Sequence, residues 1–378
     1  MELTILQTVS LWGFITAVIF GAVAYKTNFC TMGAVSDWVN MGDKRRLRAW
    51  ILAIAVAIVG TQYLVATDMI QFENVISLNP NFSWLACLVG GAIFGIGMTL
   101  GSGCGQRTLV RLGGGNLKSL LVVLVIAVTA FATFRGVLYF IPREWLWPVQ
   151  INLAERGIAD QSAVAIVSGI SSMEASNTLR WLITGVIGAA LLLYCFIDAQ
   201  FRRSFDNILA GLVVGGSIVA GWYITGVLGK DEFEPVAAES MTFILPTGNT
   251  VNYLMTYTGA SINFGIAAVL GLIAGSFLFS VLTRQFRFEG FSSLADMARH
   301  VAGGLLMGIG GVVGFGCTIG QGVTGLSTLS VGALLTFIGI VFGSALTMKI
   351  QYHQLEEVGF VKALTISFGE LVRGRVTT

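Results

Sequence analysis

The stretch GGAIFGIGMTLGSGC at residues 90–104 recurs as GGLLMGIGGVVGFGC at residues 303–317. The two align without a gap at an offset of 213 residues, and eight of the fifteen positions are identical. Six of those identities are glycines, and each copy ends in a cysteine, Cys104 and Cys317. A duplicated element with a thiol at the same place in both copies predicts two pseudo-symmetric halves. The glycines by themselves read as helix-packing motifs, Gly91-x-x-x-Gly95 and Gly97-x-x-x-Gly101 with their counterparts at Gly304, Gly308, Gly310 and Gly314. Packing does not account for the cysteines.

Around this pair the chain is strongly apolar. Of 378 residues, 55% are hydrophobic and 11% charged, against about 25% charged in soluble domains. The mean hydropathy is +0.80. These values predict an all-α integral membrane protein. The 48 glycines suit helices that approach closely or break inside the bilayer. A net charge of +2 argues neither for nucleic acid nor for a polybasic anchor. The five cysteines form no CxxC pair, which argues against a disulfide framework or a zinc site. The first apolar run lacks a basic region before it, so it reads as a retained helix.

A spanning helix needs about 20 apolar residues. Candidate spans are 8–25, 49–66, 84–100, 119–140, 181–199, 208–228, 264–283, 300–315 and 331–349, with shorter apolar segments at 160–172 and 356–369. Residues 1–140 form the first repeat and 206–350 the second. Residues 141–205 connect them, and 351–378 form a C-terminal segment.

Basic residues in short loops set the expected orientation. Lys44, Arg45, Arg46 and Arg48 mark one loop as cytoplasmic, whereas 67–83 carries Asp68 and Glu73 and no Lys or Arg. Arg107, Arg111, Lys118, Arg202, Arg203, Arg284, Arg287, Arg299, Lys362, Arg373 and Arg375 return to the inside. The N-terminus is then outside, the C-terminus inside, and an unpaired helix near 181–199 inverts the second repeat. Inverted repeats are a recurrent design of transporters. On this topology Cys317 lies toward the outside, and Cys104 and Cys30 toward the inside.

Four segments, 27–42, 101–116, 238–258 and 316–330, are too apolar for loops and too broken for spanning helices. Irregular backbone at membrane depth survives only where protein or a water-filled cavity satisfies it. These segments read as re-entrant loops or half-helices meeting near the middle. Three of them hold a thiol, in NFCTMG (28–33), GSGCGQRT (101–108) and GFGCTIGQG (314–322). Cys87 and Cys195 sit in apolar runs and read as small fillers. Glycines beside a thiol let backbone N–H groups face a ligand. A half-helix starting there adds partial positive charge. The thiol adds a weak donor and a polarizable sulfur. This combination suits a soft, sulfur-bearing anion.

Charged candidates are few. Arg107 follows Cys104 and reads equally as an anion attractor or a topology signal. Glu239, in AAESMTFILPTGN (237–249), stands by layout opposite the Cys30 loop, where Met241 is the nearest sulfur. An intramembrane carboxylate is a functional suspect; at an external rim it is a solvated charge. His300 and His353 are isolated.

NFCTMGAVSDW after the first helix, the duplicated GxGxxxGxGC segment and CTIGQG resemble the YeeE/YedE family of sulfur-transport membrane proteins, over essentially the whole chain. That resemblance implies uptake of thiosulfate across the bacterial inner membrane by an hourglass-shaped protein. It also implies three cysteines on membrane-dipping loops, at positions matching Cys30, Cys104 and Cys317. The Cys317 motif fits the family's Cys-x-x-Gly through Gly320, whereas Arg107 stands at the corresponding glycine position after Cys104. A small TusA-like sulfur carrier is an implied partner, and relatives are linked to selenium metabolism. The expected substrate path comprises Cys30, Thr31, Gly103, Cys104, Gly105, Arg107, Gly316, Cys317, Thr318, Gly320 and Gln321, with Glu239 beside it. No cofactor is required. Two alternatives stay open: a membrane sulfurtransferase forming a Cys persulfide, and a transporter of selenium-containing oxyanions.

Overall fold

A computed structural model describes residues 4–72, 75–171, 176–231 and 236–373. Glu73, residue 172 of the short segment 160–172, and Arg375 with the last residues of the C-terminal segment lie outside these ranges. The described chain is almost entirely helical. In order the helices are α1 (Ile5–Thr27), α2 (Thr31–Met41), α3 (Arg45–Ala66), α4 (Trp84–Leu100), α5 (Gly105–Gly113), α6 (Leu117–Arg135), α7 (Ala163–Ser171), α8 (Asn177–Ile197), α9 (Ala199–Arg202), α10 (Phe205–Tyr223), α11 (Ile244–Met255), α12 (Phe264–Leu282), α13 (Leu294–Val313), α14 (Val331–Leu355) and α15 (Phe360–Val372). A two-stranded ribbon, Asn81–Phe82 against Ile151–Asn152, ties the connecting segment to the first repeat.

Polar residues mark where the long helices begin. Asn116 Oδ1 accepts the Ser119 N–H (2.9 Å), Asn263 Oδ1 the Ile266 N–H (2.9 Å) and Ser330 Oγ the Ala333 N–H (3.2 Å). Each cap satisfies a donor that the first helical turn leaves open. Among the described residues, eight helical stretches are long and apolar enough to cross a membrane. Helix α13 is not among them, because Asp296, Arg299 and His300 occupy its opening turns. It nonetheless occupies the place of the expected span 300–315.

The four broken segments contain short helical elements. Helices α2, α5 and α11 run 11, 9 and 12 residues, and a single wide turn, Gly320–Gly325, occupies the fourth segment. None is long enough to span a bilayer.

The duplicated motif sits at the centre of the bundle. Helices α4 and α13 cross antiparallel, glycine against glycine. Gly90 faces the backbone of Gly314, and Gly101 that of Gly303. A Cβ on Gly310 would lie 2.5 Å from Phe94 N, and one on Gly97 2.7 Å from Met307 N. Each of these contacts maps onto the other when the two copies are exchanged. Absent side chains thus let the two backbones touch, which is how apolar helices gain contact where lipid removes the hydrophobic driving force. The halves also interlock: α1 lies along α12 and α10 along α3, while α14 packs on α4 and α6 on α13. The unpaired helix α8 lies against α3 at the periphery.

Candidate functional site

Each copy of the motif ends in the same reversal. Ser102 (φ 57°) and Phe315 (φ 62°), 213 residues apart, both adopt the left-handed conformation. That costs a non-glycine residue roughly 1–2 kcal/mol. The chain then turns back toward the bundle centre. The turn after α4 and the turn after α13 meet within the bundle. The Cys104 thiol has Cys30 as its neighbour on one side and Thr318, next to Cys317, on the other. Loop charges place the ends of the spanning helices; they say nothing about how far the following loop dips back.

The thiols share a local geometry. Cys30 and Cys104 are the residues immediately before α2 and α5, both in extended conformation. Cys317 precedes the helical turns of the fourth segment, where the Gly320 N–H donates to its Sγ (3.3 Å). The equivalent N–H groups, of Gly33 and Arg107, lie near the sulfurs of Cys30 and Cys104 without forming a capping hydrogen bond. All three side chains are buried and none is in a disulfide. Two helix N-termini, of α2 and α5, thus meet the thiols of Cys30 and Cys104 with their partial positive charge.

The fourth position is not a thiol. Phe243 precedes α11 as Cys30 precedes α2, again at the 213-residue offset. It is fully buried and meets Phe20 edge-on, ring centroids 5.8 Å apart. Glu239, the expected counterpart by layout, is not brought to the thiols. Its N–H donates to Thr225 Oγ1 (3.1 Å), whose hydroxyl donates back to the Glu239 carbonyl (2.6 Å). Cys30 and Phe243 hold the place immediately before their half-helices, and Glu239 lies four residues ahead of Phe243.

The remaining residues of the expected path lie on the turns that carry the thiols. The glycines provide room: a Cβ on Gly103 would lie 3.3 Å from Arg107 Cγ, on Gly105 2.8 Å from Ile244 Cδ1, and on Gly316 3.1 Å from Gln321 Cγ. One on Gly320 would press on Thr242 and approach Cys317 Sγ at 3.8 Å. Several buried polar atoms around the thiols lack a hydrogen-bond partner among the described residues: Thr31 Oγ1, Thr318 Oγ1, Gln321 Oε1 and Gln106 Nε2. Unsatisfied buried polar groups are costly.

Gln106 was not singled out from the sequence. It is fully buried, and Cys104 Sγ donates weakly to its Oε1 (3.9 Å). The available signal was an amide inside GSGCGQRT, paralleled by Gln321 inside GCTIGQG. Asn28 and Phe243 also escaped notice. The first acts through a distant partner, and the second is an ordinary aromatic until its place in the repeat is known.

Two cavities adjoin the turns that carry the thiols. One, of about 210 Å³, is lined by the uncharged amides and hydroxyls of Asn79, Asn81, Gln161 and Ser330 together with apolar Ile76, Cys87 and Trp147, and reaches Gln321 and Phe315. The Gln321 amide donates to the Phe315 carbonyl (2.8 Å) and Phe315 stacks on Trp147, centroids 5.7 Å apart. The other, of about 650 Å³, is lined by Lys26, Arg107, Arg111, Arg284 and Arg287. Arg107 forms its floor, donating to Asn28 Oδ1 (2.6 Å) and to the Ala24 carbonyl (3.5 Å). No group of three or more metal-ligating side chains occurs among the described residues.

The comparisons with known proteins bear on the family. The chain is 24% identical over 341 residues to thiosulfate transporter TsuA of Escherichia coli K12, covering 87% of this chain and 90% of that protein. It is 23% identical over 344 residues to the protein of the same name from Spirochaeta thermophila, covering 88% and 96%. The family model described as sulphur transport matches residues 26–346, a range that takes in all three thiol turns and both copies of the glycine motif, and the chain therefore belongs to the sulphur-transport family.

Proposed function

We propose that this chain carries thiosulfate across the bacterial inner membrane, passing the dianion along Gln321, Cys317, Thr318, Cys104 and Cys30. The observation that carries this reading is the row of thiols at half-helix N-termini, surrounded by unpartnered hydroxyls and amides. The terminal sulfur of thiosulfate is soft and weakly hydrated, and an S–H donor matches it. The helix ends and the Gln106 amide serve its charged oxygens. The thiols must stay protonated, since a thiolate would repel the dianion. Transfer is then a sequence of hydrogen-bond exchanges with no covalent step and no cofactor.

With the N-terminus outside and the C-terminus in the cytoplasm, the amide-lined cavity receives the anion and the basic cavity releases it. A small TusA-like sulfur carrier on the cytoplasmic side would take the product onward. The test is radiolabelled thiosulfate uptake in proteoliposomes. Uptake that survives simultaneous Cys104→Ala and Cys317→Ala substitution rules out the relay.

Arg107 beside the Cys30–Cys104 pair favours a second reading, a sulfurtransferase. A thiolate of that pair would attack the outer sulfur of thiosulfate, forming a Cys–S–S⁻ persulfide and expelling sulfite. Intact-protein mass spectrometry after thiosulfate exposure separates the two readings, because only this one adds a sulfur atom to the chain. Competition by selenite, sulfite and sulfate during uptake separates thiosulfate from selenium oxyanions as the preferred cargo.

A further inference from the structure

We infer that the basic cavity is a second anion site, one that selects divalent tetrahedral oxyanions by charge and shape and does not require sulfur chemistry. The inference rests on the chain being an anion path, and it assigns a separate selectivity to one of its mouths.

The two mouths differ in kind. The amide-lined cavity has no charged side chain on its walls. The basic cavity has five cationic side chains and one carboxylate, Glu289. That carboxylate is engaged by the Asn116 amide, and Lys26 is shared with Asp206 at 3.7 Å. Arg284 and Arg287 have no carboxylate partner among the described residues. Arg107 and Arg111 each commit part of their guanidinium to the protein, to Asn28 Oδ1 (2.6 Å) and to the Ser102 carbonyl (2.8 Å). A guanidinium has five N–H donors, so both keep donors for a ligand while these bonds hold them in place.

Planar guanidinium forks match the edge of a tetrahedral oxyanion. Four of them around one cavity favour a dianion over a halide. The position of Arg107 joins this site to the thiols: it forms the floor of the cavity and lies beside Cys30. An anion that leaves Cys30 therefore enters a field of positive charge. A resident oxyanion there occupies the exit and slows further transfer from the thiol side.

Equilibrium dialysis of [³⁵S]sulfate against the purified full chain in detergent tests the site, because sulfate offers the charge and shape without the soft sulfur. Saturable binding of about one sulfate per chain is expected, weakening as sodium chloride is raised. The Arg284→Gln/Arg287→Gln variant should raise the dissociation constant at least tenfold. Arg284→Lys/Arg287→Lys should keep binding, and Cys104→Ser/Cys317→Ser should leave it within twofold. Absence of saturable binding, binding indifferent to the glutamine variant, or loss in the thiol variant overturns the inference. So does displacement of the sulfate by phosphatidylglycerol added to the micelles, which would make the cavity a lipid-headgroup site. Failure of the thiosulfate reading would appear instead in the uptake assay, with sulfate binding intact.

Discussion

The thiol of Cys104 and the hydroxyl of Thr318 are neighbours at the centre of the bundle, although they belong to opposite repeats and to helices that run in opposite directions. Their meeting joins the two copies of one motif. It also ties the thiols of Cys30 and Cys104 to the turn that carries Cys317.

The first expectation concerns the thiols one at a time. A hydrogen bond to a charged group contributes about 1.5–3 kcal/mol, or roughly ten- to a hundredfold in rate if it is made at the constriction. Cys30→Ala, Cys104→Ala and Cys317→Ala should each lower initial thiosulfate uptake by that factor at equal reconstituted protein. A variant that transports at the parental rate would remove its cysteine from the path.

Gln106 separates a ligand-binding role from a structural one. Its Nε2 is buried without a partner, so replacing it with an apolar side chain should not destabilise the fold. Gln106→Leu is expected to match or exceed the parental melting temperature while uptake falls about tenfold, the worth of roughly 1.4 kcal/mol. Lower stability with unchanged uptake would make the amide a structural element.

The glycines should divide according to what lies opposite them. At Gly91 and Gly95 a Cβ would collide with the carbonyls of Thr336 and Ile340, whereas at Gly185 and Gly216 nothing lies within 4 Å. Gly91→Ala and Gly95→Ala are expected to lower folded yield and melting temperature, because two helix backbones must separate. Gly185→Ala and Gly216→Ala should be neutral or stabilising, since alanine is the better helix former by about 1 kcal/mol in a helix interior. Size-exclusion profiles and thermal unfolding in detergent compare the four.

Lys349 offers a test outside the site. It is almost fully buried and its Nζ donates to Glu370 Oε2 (2.7 Å), fastening α15 to α14. Removing one partner of a buried pair costs about 3–5 kcal/mol, because it strands a charge. Glu370→Ala should therefore destabilise the protein more than Lys349→Met/Glu370→Ala, which strands none. Thermal unfolding of the single and double variants decides it, and additive losses would show that the pair is not coupled.

Much of the architecture was legible from residue order alone. Runs of Leu, Val, Ile and Phe mark nine candidate spans without any tertiary information, eight of which coincide with helices of spanning length and apolarity among the described residues, since a bilayer imposes length and apolarity on each helix separately. The thiol turns after α4 and α13 were legible for a related reason: in GSGC and GFGC two glycines crowd together just ahead of the thiol, where the backbone leaves the helix. Glu239 shows the limit. Its loop stands opposite the Cys30 loop by layout, but the residue immediately before α11, the place Cys30 holds before α2, is Phe243. Gln106 shows another limit, because the burial of an amide depends on neighbours far away in the sequence.

By itself the sequence determined that this chain is a duplicated, helical membrane protein with three thiols on broken, glycine-rich segments. Those properties are local: they follow from hydropathy, from the lack of a Cβ and from a repeat readable at a fixed offset. Only the tertiary structure decided that the thiol turns converge, that Phe243 closes the fourth position, and that one mouth is lined by amides and the other by guanidinium groups. Convergence requires two helices to cross backbone to backbone and two chains to turn back from opposite ends. Its cause is therefore the packing of residues more than two hundred positions apart, which spacing along the chain does not encode.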